Sequence, residues 1–268
     1  MPRLAVLGHP VSHSRSPAMQ NAALGALGLE EWSYGAIDAA PDAFEMTVRE
    51  LASVGYAGAN VTVPHKEAAL ALADEASEAS RQIGAANTLV FAEGRIEAHN
   101  TDADGLLASL PDSPRARRAL VLGAGGAARA VLWALLWEGA EVEVWNRTAG
   151  KAAAICAELG GAAVTDLRQD SYELLVNTSA AGLKGEDPFE HLPLEPDLFA
   201  ASQTVVDMVY GERRSPLLVA AEKAGAATVD GLEILVQQGA RSLEIWTGRE
   251  PDLDVMRAAA AGGELWPL

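Results

Sequence analysis

The chain has 268 residues but only one cysteine, Cys156, so no disulfide bond can form within it. A single cysteine is typical of proteins in a reducing cytosol, and it predicts a cytoplasmic location. The sequence also has no apolar run near the roughly 18 to 20 residues that a membrane span needs. A predicted strand begins directly after Met1-Pro2, so we expect neither a signal peptide nor a membrane partner.

Basic residues are also scarce, since 20 Lys and Arg stand against 37 Asp and Glu, for a formal net charge of −17 at pH 7. A charge of this sign argues against non-specific binding to nucleic acid. Local cations and helix N-termini must therefore hold any anionic ligand. Hydrophobic residues make up 49% of the chain, enough to bury the core of one large or two ordinary domains and to exclude disorder.

The most informative segment is 119–130, where an apolar run stops at Gly123 and a helical pattern follows. Gly123-x-Gly125-x-x-Ala128 matches the dinucleotide-binding fingerprint in the variant that ends in Ala. Gly123 would allow a sharp turn, Gly125 would let a pyrophosphate approach the backbone, and Ala128 would let helix and strand pack closely. The helix N–H groups would then face the phosphates. The alternative is a glycine-rich packing turn.

The strand predicted at 141–145 ends in Asn146-Arg147-Thr148, where an NAD site commonly carries an acidic residue. An arginine there can bind a 2′-phosphate through charge-assisted, often bidentate hydrogen bonds. The sequence therefore favours NADP over NAD, with an arginine on a surface turn as the alternative.

The first predicted strand spans residues 4–8, and two serines follow it. Ser14 and Ser16 lie at the start of a predicted helix, with Pro17 in its first turn. This turn lacks the glycine fingerprint, so a small carboxylate would suit it better than a dinucleotide. The alternative is that Ser16 simply caps the helix.

The next polar side chains lie in and after the strand predicted at 58–64. Asn60 and Thr62 alternate with apolar residues, so they point the same way and need partners. Lys66 then falls in the first turn of a helix predicted from 65 to about 82, where the helix dipole disfavours a cation. This position suggests a functional lysine, and a solvent-exposed lysine is the alternative.

A polar cluster at 100–105 precedes a helix predicted from Leu106. Asp102 and Asp104 could act in a site or could cap this helix. Farther along, Trp133 and Trp137 lie four residues apart on the fingerprint helix. Both are expected in the core, with a domain contact or a dimer face as the other possibilities.

Taken together, these motifs resemble the shikimate dehydrogenase family, in the family's order and over nearly the whole chain. The matching segments are Ser14-x-Ser16, Asn60-Val-Thr62-Val-Pro-His-Lys66, Gly84-Ala-Ala-Asn87-Thr88, Asn100-Thr101-Asp102, Gly123-x-Gly125-Gly126-Ala127, Asn146-Arg147-Thr148, Asn177-Thr178-Ser179, Asp207-Met208-Val209-Tyr210, and Asp230-Gly231 with Gln238.

The resemblance implies an α/β fold of two domains with a cleft between them. Residues 1–102 plus 238–268 would form the substrate-binding and catalytic domain, with a mainly parallel sheet. Residues 103–237 would form a Rossmann-like NADP-binding domain. The implied activity is the reversible, NADPH-dependent reduction of 3-dehydroshikimate to shikimate, in the chorismate pathway to aromatic amino acids.

The resemblance also implies residue roles. Lys66 and Asp102 would form the catalytic pair. The substrate would be bound by Ser14, Ser16, Asn60, Thr62, Lys66, Asn87, Asp102, Tyr210 and Gln238. NADP would be bound by Gly123, Ala124, Gly125, Gly126, Ala127, Asn146, Arg147, Thr148, Lys151, Met208, Gly231 and, more weakly, Glu78. No metal ligand is assigned, and the chain is expected to be a monomer or a homodimer.

Three departures from the family's pattern stand out. His65 occupies a position often filled by an aromatic or apolar residue, Ala86 replaces a commoner valine, and the loop 211–215 differs after the tyrosine. The alternatives to the implied activity are an NAD-using quinate/shikimate enzyme, a relative acting on another small hydroxy acid, and a non-catalytic NADP-binding sensor.

Overall fold

The computed structural model describes residues 1–211 and 213–262, and the chain divides into two compact units. Unit 1 comprises Met1–Gly105 and the chain from Leu235 onward, and unit 2 comprises Leu106–Ile234. The boundaries implied by the resemblance, after residue 102 and before residue 238, stay a prediction. Each unit contains a six-stranded sheet with helices packed on it.

The first part of the chain alternates strands and helices. Its elements are β1 (Arg3–Gly8), α1 (Ser16–Ala26), β2 (Ser33–Asp38), α2 (Phe44–Ser53), β3 (Tyr56–Val61), α3 (Lys66–Leu72), β4 (Glu75–Ala76), α4 (Glu78–Ile83), β5 (Thr88–Ala92), β6 (Arg95–His99) and α5 (Asp102–Ser109).

The sheet of unit 1 has the order β2-β1-β3-β5-β6-β4. β1 pairs in parallel with β2 and β3, and β4 pairs in parallel with β6, whereas the hairpin β5–β6 and the β3–β5 pair are antiparallel. Central β1 is buried along Leu4–Leu7, as a strand covered on both faces should be. The parallel strands β1 and β3 therefore end on the same side of the sheet, which is where Ser14 and Thr62 follow them.

Unit 2 continues the alternation. Its elements are β7 (Arg118–Leu122), α6 (Gly126–Trp137), β8 (Glu141–Trp145), α7 (Ala149–Leu159), β9 (Ala162–Ala163), β10 (Leu174–Asn177), β11 (Thr204–Asp207), α8 (Pro216–Lys223) and β12 (Ala227–Asp230). The chain then returns to unit 1 through α9 (Gly231–Thr247) and α10 (Leu253–Gly262).

The sheet of unit 2 is parallel throughout, in the order β12-β11-β10-β7-β8-β9. Alternate residues of β7 serve opposite faces: Ala119 and Val121 pack in one core cluster, and Leu120 and Leu122 pack in the other. All four are fully buried. This two-sided burial of a parallel sheet is typical of the Rossmann-like, doubly wound folds that the fingerprint predicted.

The helix predicted from 65 to about 82 is wrong in its length. α3 stops at Leu72 because Ala73 is extended and Asp74 pairs with β6 through its backbone N–H and the carbonyl of Ile96, 2.8 Å apart. Ser77 then caps α4 by accepting a hydrogen bond from the N–H of Ser80. Pairing of residues 74–77 with β6 thus overrides the local helical preference.

The expectation that both tryptophans of α6 lie in the core is wrong for Trp137, whose surface is 68% exposed. Its ring stacks on that of Trp133 with the centroids 5.4 Å apart. The loop 211–215 differs from the family's pattern in sequence, and its residue Glu212 lies outside the described residues. No helix in the described part of the chain is both long and apolar enough to cross a membrane.

Candidate active site

The turn after β1 carries Ser14 and Ser16, the two serines predicted to bind a carboxylate. Ser16 is the first residue of α1, and the N-cap position, Arg15, makes no side-chain capping bond. Instead the Ser14 hydroxyl accepts a hydrogen bond from the N–H of Ser16, at 3.2 Å. The alternative in which Ser16 caps the helix is therefore not what the structure shows. Both serines are buried at the N-terminus of α1, the end of a helix that favours anions.

The strand β3 ends one residue before Thr62, and the backbone ties this end to β1. The N–H of Thr62 donates to the carbonyl of Leu7 at 2.8 Å, and the N–H of His9 donates to the carbonyl of Val63 at 3.1 Å. Thr62 therefore lies beside the turn that leads to Ser14.

Lys66 and Asp102 form the central ion pair of unit 1. Lys66 Nζ lies 2.5 Å from Asp102 Oδ2, and the two side chains are only 11% and 6% exposed. Lys66 is thus not the solvent-exposed lysine of the alternative interpretation. Each residue begins a helix, α3 and α5, so two chain segments must meet for the pair to form. An ion pair that is buried to this extent is favourable only if its remaining hydrogen-bonding groups also have partners.

Asn87 satisfies the other oxygen of the carboxylate. Its Nδ2 donates to Asp102 Oδ1 at 2.9 Å, and it also lies 3.0 Å from Thr101 Oγ1 and 3.1 Å from Gln238 Oε1. Asn87 Oδ1 accepts from the N–H of Thr101 at 2.8 Å and from the Thr88 hydroxyl at 3.0 Å. Asp102 is therefore held from two sides, by the Lys66 amine and by the Asn87 amide.

Gln238 reaches this cluster from α9. Its Oε1 accepts from Asn87 and its Nε2 donates to the carbonyl of Leu235 at 2.8 Å, which leaves the second amide hydrogen for another acceptor. A Cβ at Gly105 would lie 2.7 Å from the Cβ of Gln238. The glycine therefore permits the close approach of α5 and α9 that brings Gln238 to Asn87.

Asn60 is buried and already has protein partners. Its Oδ1 accepts from the Tyr34 hydroxyl at 2.7 Å, and its Nδ2 lies within 3.1 Å of Thr88 Oγ1, Ser242 Oγ and the carbonyl of Asn87. A direct bond from Asn60 to a ligand would have to replace one of these. Its contact with substrate stays a prediction.

The glycine loop of unit 2 has the geometry expected of a phosphate cradle. Gly123 has φ +122° and lies where a Cβ would be 2.5 Å from Thr178 Oγ1, so only glycine fits the turn. No described atom lies within 4 Å of a Cβ placed on Gly125, the N-cap of α6. Ala128 is fully buried in the core. The residues thus fit a pyrophosphate at the N-terminus of a twelve-residue helix.

The end of β8 carries the predicted 2′-phosphate contacts. Asn146 Nδ2 donates to the carbonyl of Thr148 at 3.0 Å, and Thr148 is the N-cap of α7. Arg147 is exposed and forms no ion pair within the described residues, so its charge is available to a ligand. Lys151 lies exposed in the first turn of α7.

The end of β11 is held by a buried carboxylate that precedes Met208. Asp207 accepts from Asn177 Nδ2 at 2.9 Å, from the N–H of Val209 at 3.1 Å and from the Ser215 hydroxyl at 2.5 Å. Burial raises the pKa of the Asp207 carboxyl above its usual value, and the charge of Asp230 on the neighbouring strand adds to this. The three donors act in the opposite sense.

The predicted site residues divide between the units. Ser14, Ser16, Asn60, Thr62, Lys66, Asn87, Asp102 and Gln238 belong to unit 1, as does Glu78, whose carboxylate accepts from Gln82 at 3.1 Å. Tyr210, predicted to bind substrate, belongs to unit 2, as do all predicted cofactor residues except Glu78. The structure joins Lys66, Asp102, Asn87 and Gln238, in that order, through successive hydrogen bonds.

Sequence reasoning missed the residues that support these side chains. Tyr34 and Ser242 gave no local signal, because a tyrosine in a strand and a serine in a helix are ordinary. The departure at His65 has a structural role: its ring stacks on Phe44 with centroids 4.2 Å apart, and its Nε2 lies 2.7 Å from the carbonyl of Ala39. Both contacts fix the residue directly before Lys66.

Models of known families match three parts of the chain. Residues 6–89 match the shikimate dehydrogenase substrate binding domain, residues 107–180 match shikimate / quinate 5-dehydrogenase, and residues 231–261 match the shikimate 5′-dehydrogenase C-terminal domain.

Individual proteins match over nearly the whole chain. A shikimate dehydrogenase (NADP⁺) of Thermus thermophilus is 45% identical over 97% of this chain and 98% of its own. A crystal structure of shikimate 5-dehydrogenase from the same species, in complex with NADP(H) and shikimate, has a TM-score of 0.86 and 43% identity, covering 97% and 98% of the two chains. A 5-ketofructose reductase of Gluconobacter also matches, at 31% identity and a TM-score of 0.85 over 97% of each chain.

The raised pKa of Asp207 predicts a dependence of stability on pH. The folded state binds the proton more tightly than the unfolded state, so this contribution is full below the ordinary value of 3.8 and is lost as the pH rises through the folded-state pKa. Asp207→Asn removes the titration and can keep hydrogen bonds to Asn177 and Ser215. We expect the stability of the variant relative to wild type to increase from pH 4 to pH 8.

The measurement is the free energy of unfolding in urea across this pH range, with Asp166→Asn, an exposed aspartate of the same unit, as the control. Parallel pH profiles for wild type and Asp207→Asn would contradict the prediction.

Proposed function

Because the chain belongs to the shikimate dehydrogenase family, we propose that it catalyses the reversible, NADPH-dependent reduction of 3-dehydroshikimate to shikimate. The observation that carries the proposal is the buried Lys66–Asp102 pair, in which the carboxylate is also held by Asn87. A non-catalytic NADP sensor has no need of a buried amine fixed in this way. The division of labour between a substrate-binding unit 1 and a cofactor-binding unit 2 is part of the proposal.

The role of Lys66 follows from the chemistry of a ketone. NADPH, when bound, supplies the hydride, and the carbonyl oxygen that gains negative charge then needs a proton. Lys66 Nζ donates this proton and takes it back when shikimate is oxidised. Asp102 keeps the amine in place through the contact of 2.5 Å.

The acid group of the substrate is assigned to the N-terminus of α1. The Ser14 and Ser16 side chains and the helix dipole favour a carboxylate there. This local arrangement matters because the net charge of −17 repels an anion from the protein as a whole.

The ring hydroxyls are assigned to the cluster around Asp102. Gln238 offers its second amide hydrogen, Asp102 and Lys66 offer an acceptor and a donor, and Thr62 and Asn87 complete the set. Donors and acceptors fixed before binding discriminate strongly against substrates that lack the matching hydroxyl. Tyr210 and Asn60 remain predicted contributors.

The cofactor is assigned to unit 2. The glycine loop from Gly123 to Ala127 would hold the pyrophosphate, and Asn146, Arg147, Thr148 and Lys151 would hold the 2′-phosphate. Met208 and Gly231 would contribute backbone contacts, and Glu78 is a weaker assignment. A cytoplasmic location and a monomeric or homodimeric state stay predictions from the sequence.

The direct test is an assay of the purified protein with shikimate or quinate and with NADP⁺ or NAD⁺, followed by absorbance of the reduced cofactor. We expect kcat/KM to be highest for shikimate with NADP⁺. Higher values for quinate or for NAD⁺ would favour the related activities, and cofactor binding without any turnover would favour a sensor.

Replacing the proposed proton donor separates chemistry from binding. We expect Lys66→Ala to lower kcat by about 100-fold or more, because general acid–base catalysis is lost. The dissociation constant for shikimate should change by no more than about tenfold. Steady-state kinetics and calorimetry measure the two quantities. Glu67→Ala, which changes an exposed neighbour in the same helical turn, is the control, and undiminished turnover in Lys66→Ala would refute the assignment.

Replacing the proposed 2′-phosphate ligand tests cofactor choice. We expect Arg147→Ala to raise the KM for NADP⁺ by about tenfold or more while changing the KM for NAD⁺ by less than about twofold, because only NADP⁺ carries the 2′-phosphate. Arg168→Ala, at another exposed arginine of unit 2, should leave both values unchanged. An equal loss of affinity for both cofactors would rule out the assigned contact.

A further inference from the structure

Five buried polar residues form one hydrogen-bonded group next to Asn87, and we call them the support network: Tyr34, Asn60, Thr88, Thr101 and Ser242. Asn60 is also one of the predicted substrate contacts. Tyr34, Thr88, Thr101 and Ser242 are at most 1% exposed, and Asn60 is 6% exposed. No chemical step of the proposed reaction uses them. Buried polar groups cost free energy unless they are hydrogen-bonded. Which atom donates and which accepts in each bond therefore fixes the orientation of the side chains.

The chain of hydrogen bonds begins at Tyr34. Its hydroxyl donates to Asn60 Oδ1 at 2.7 Å, so the amide nitrogen of Asn60 must face the other way. That nitrogen lies 3.0 Å from Ser242 Oγ and 3.1 Å from Thr88 Oγ1. The Asn60 amide is therefore fixed in one orientation, and it presents donors to the two hydroxyls.

The hydroxyl of Thr88 links the Asn60 amide to the Asn87 amide and so helps to fix the orientation of Asn87. Because Thr88 Oγ1 accepts from Asn60, its own hydrogen is free for Asn87 Oδ1, 3.0 Å away. The N–H of Thr101 is a second donor to the same oxygen. Two donors on Oδ1 turn Asn87 Nδ2 towards Asp102 Oδ1, as the ion pair with Lys66 requires.

Ser242 joins the network to the helix that carries Gln238. Its hydroxyl lies 2.8 Å from Thr88 Oγ1, 3.1 Å from Thr101 Oγ1 and 3.0 Å from both Asn60 Nδ2 and the carbonyl of Gln238. One hydroxyl thus links β3, β5 and the residue before α5 to the turn of α9 that begins at Gln238.

We propose that Ser242 is a positioning residue for substrate recognition. Its hydroxyl acts through Thr88 and Thr101 to keep the Asn87 amide turned towards Asp102, and the Asn87 amide in turn fixes the Gln238 amide by donating to Gln238 Oε1. The inference rests on the proposed function and extends it to a residue that touches no reacting atom. If an amide turns over, it presents its carbonyl where a donor is needed, and a bond to the substrate is lost.

The test is Ser242→Ala in the full-length protein. We expect both the KM and the calorimetric dissociation constant for shikimate to rise about fivefold to tenfold, the equivalent of about one hydrogen bond. The KM for NADP⁺ should stay within twofold, because unit 2 is unchanged. kcat should fall by less than threefold, because Lys66 Nζ and Asp102 Oδ2 keep their contact.

Ser80→Ala is the matched control. Ser80 is also fully buried, lies in a helix of the same unit and has a hydrogen-bonded hydroxyl, 2.9 Å from Ser77 Oγ, but it is outside the support network. Both variants should lower the thermal unfolding midpoint. Only Ser242→Ala should weaken shikimate binding.

A second pair of variants covers the case in which Ser242→Ala does not fold. Thr88→Val keeps the side-chain shape but removes the hydroxyl, and Thr88→Ser keeps the hydroxyl but removes a methyl group. We expect Thr88→Val to weaken shikimate binding as Ser242→Ala does, and Thr88→Ser to retain wild-type affinity.

Several outcomes would overturn the positioning role: equal shikimate affinity in Ser242→Ala and Ser80→Ala, equal losses in the two Thr88 variants, or a KM for NADP⁺ that rises in step with that for shikimate. Wild-type protein that fails to oxidise shikimate with NADP⁺ would overturn the proposed function and, with it, this inference. An active wild type with unaffected Ser242→Ala would overturn the inference alone.

Discussion

The burial of the Asp102 carboxylate is the constraint on which the rest of unit 1 depends. A carboxylate whose side chain is 6% exposed is tolerated only when both of its oxygens have partners. Lys66 supplies one partner from the start of α3, and Asn87 supplies the other from the residue before β5. The hydrogen bonds behind Asn87 then require Thr88, Asn60 and Ser242 to hold their places.

The cofactor site proposed for unit 2 poses a different problem, the binding of a large anion by a protein with a net charge of −17. Its parallel sheet places the loops after β7, β8, β10 and β11 on one edge. Backbone N–H groups at the start of α6 and one exposed arginine, Arg147, meet there, so the positive potential is local. The carboxylate of Asp207 is compatible with this edge because three donors surround it.

Much of the fold could be predicted because its signals are local. The strand before Gly123 is confirmed, since a glycine turn depends only on adjacent residues. The helix from 65 to 82 was wrong because residues 74–77 pair with β6, a strand that comes later in the sequence. The prediction that Trp137 lies in the core was wrong, because a helical pattern does not reveal which face of the helix remains uncovered.

The sequence by itself determined the family and the identity of the side chains assigned to a ligand, because these depend on residue type and motif order. Only the tertiary structure decided how those side chains are oriented. Asn87 and Gln238 are 151 residues apart, and Asn60 and Ser242 are 182 apart. No local pattern records a hydrogen bond across such distances, since it exists only once the sheet and α9 have packed together.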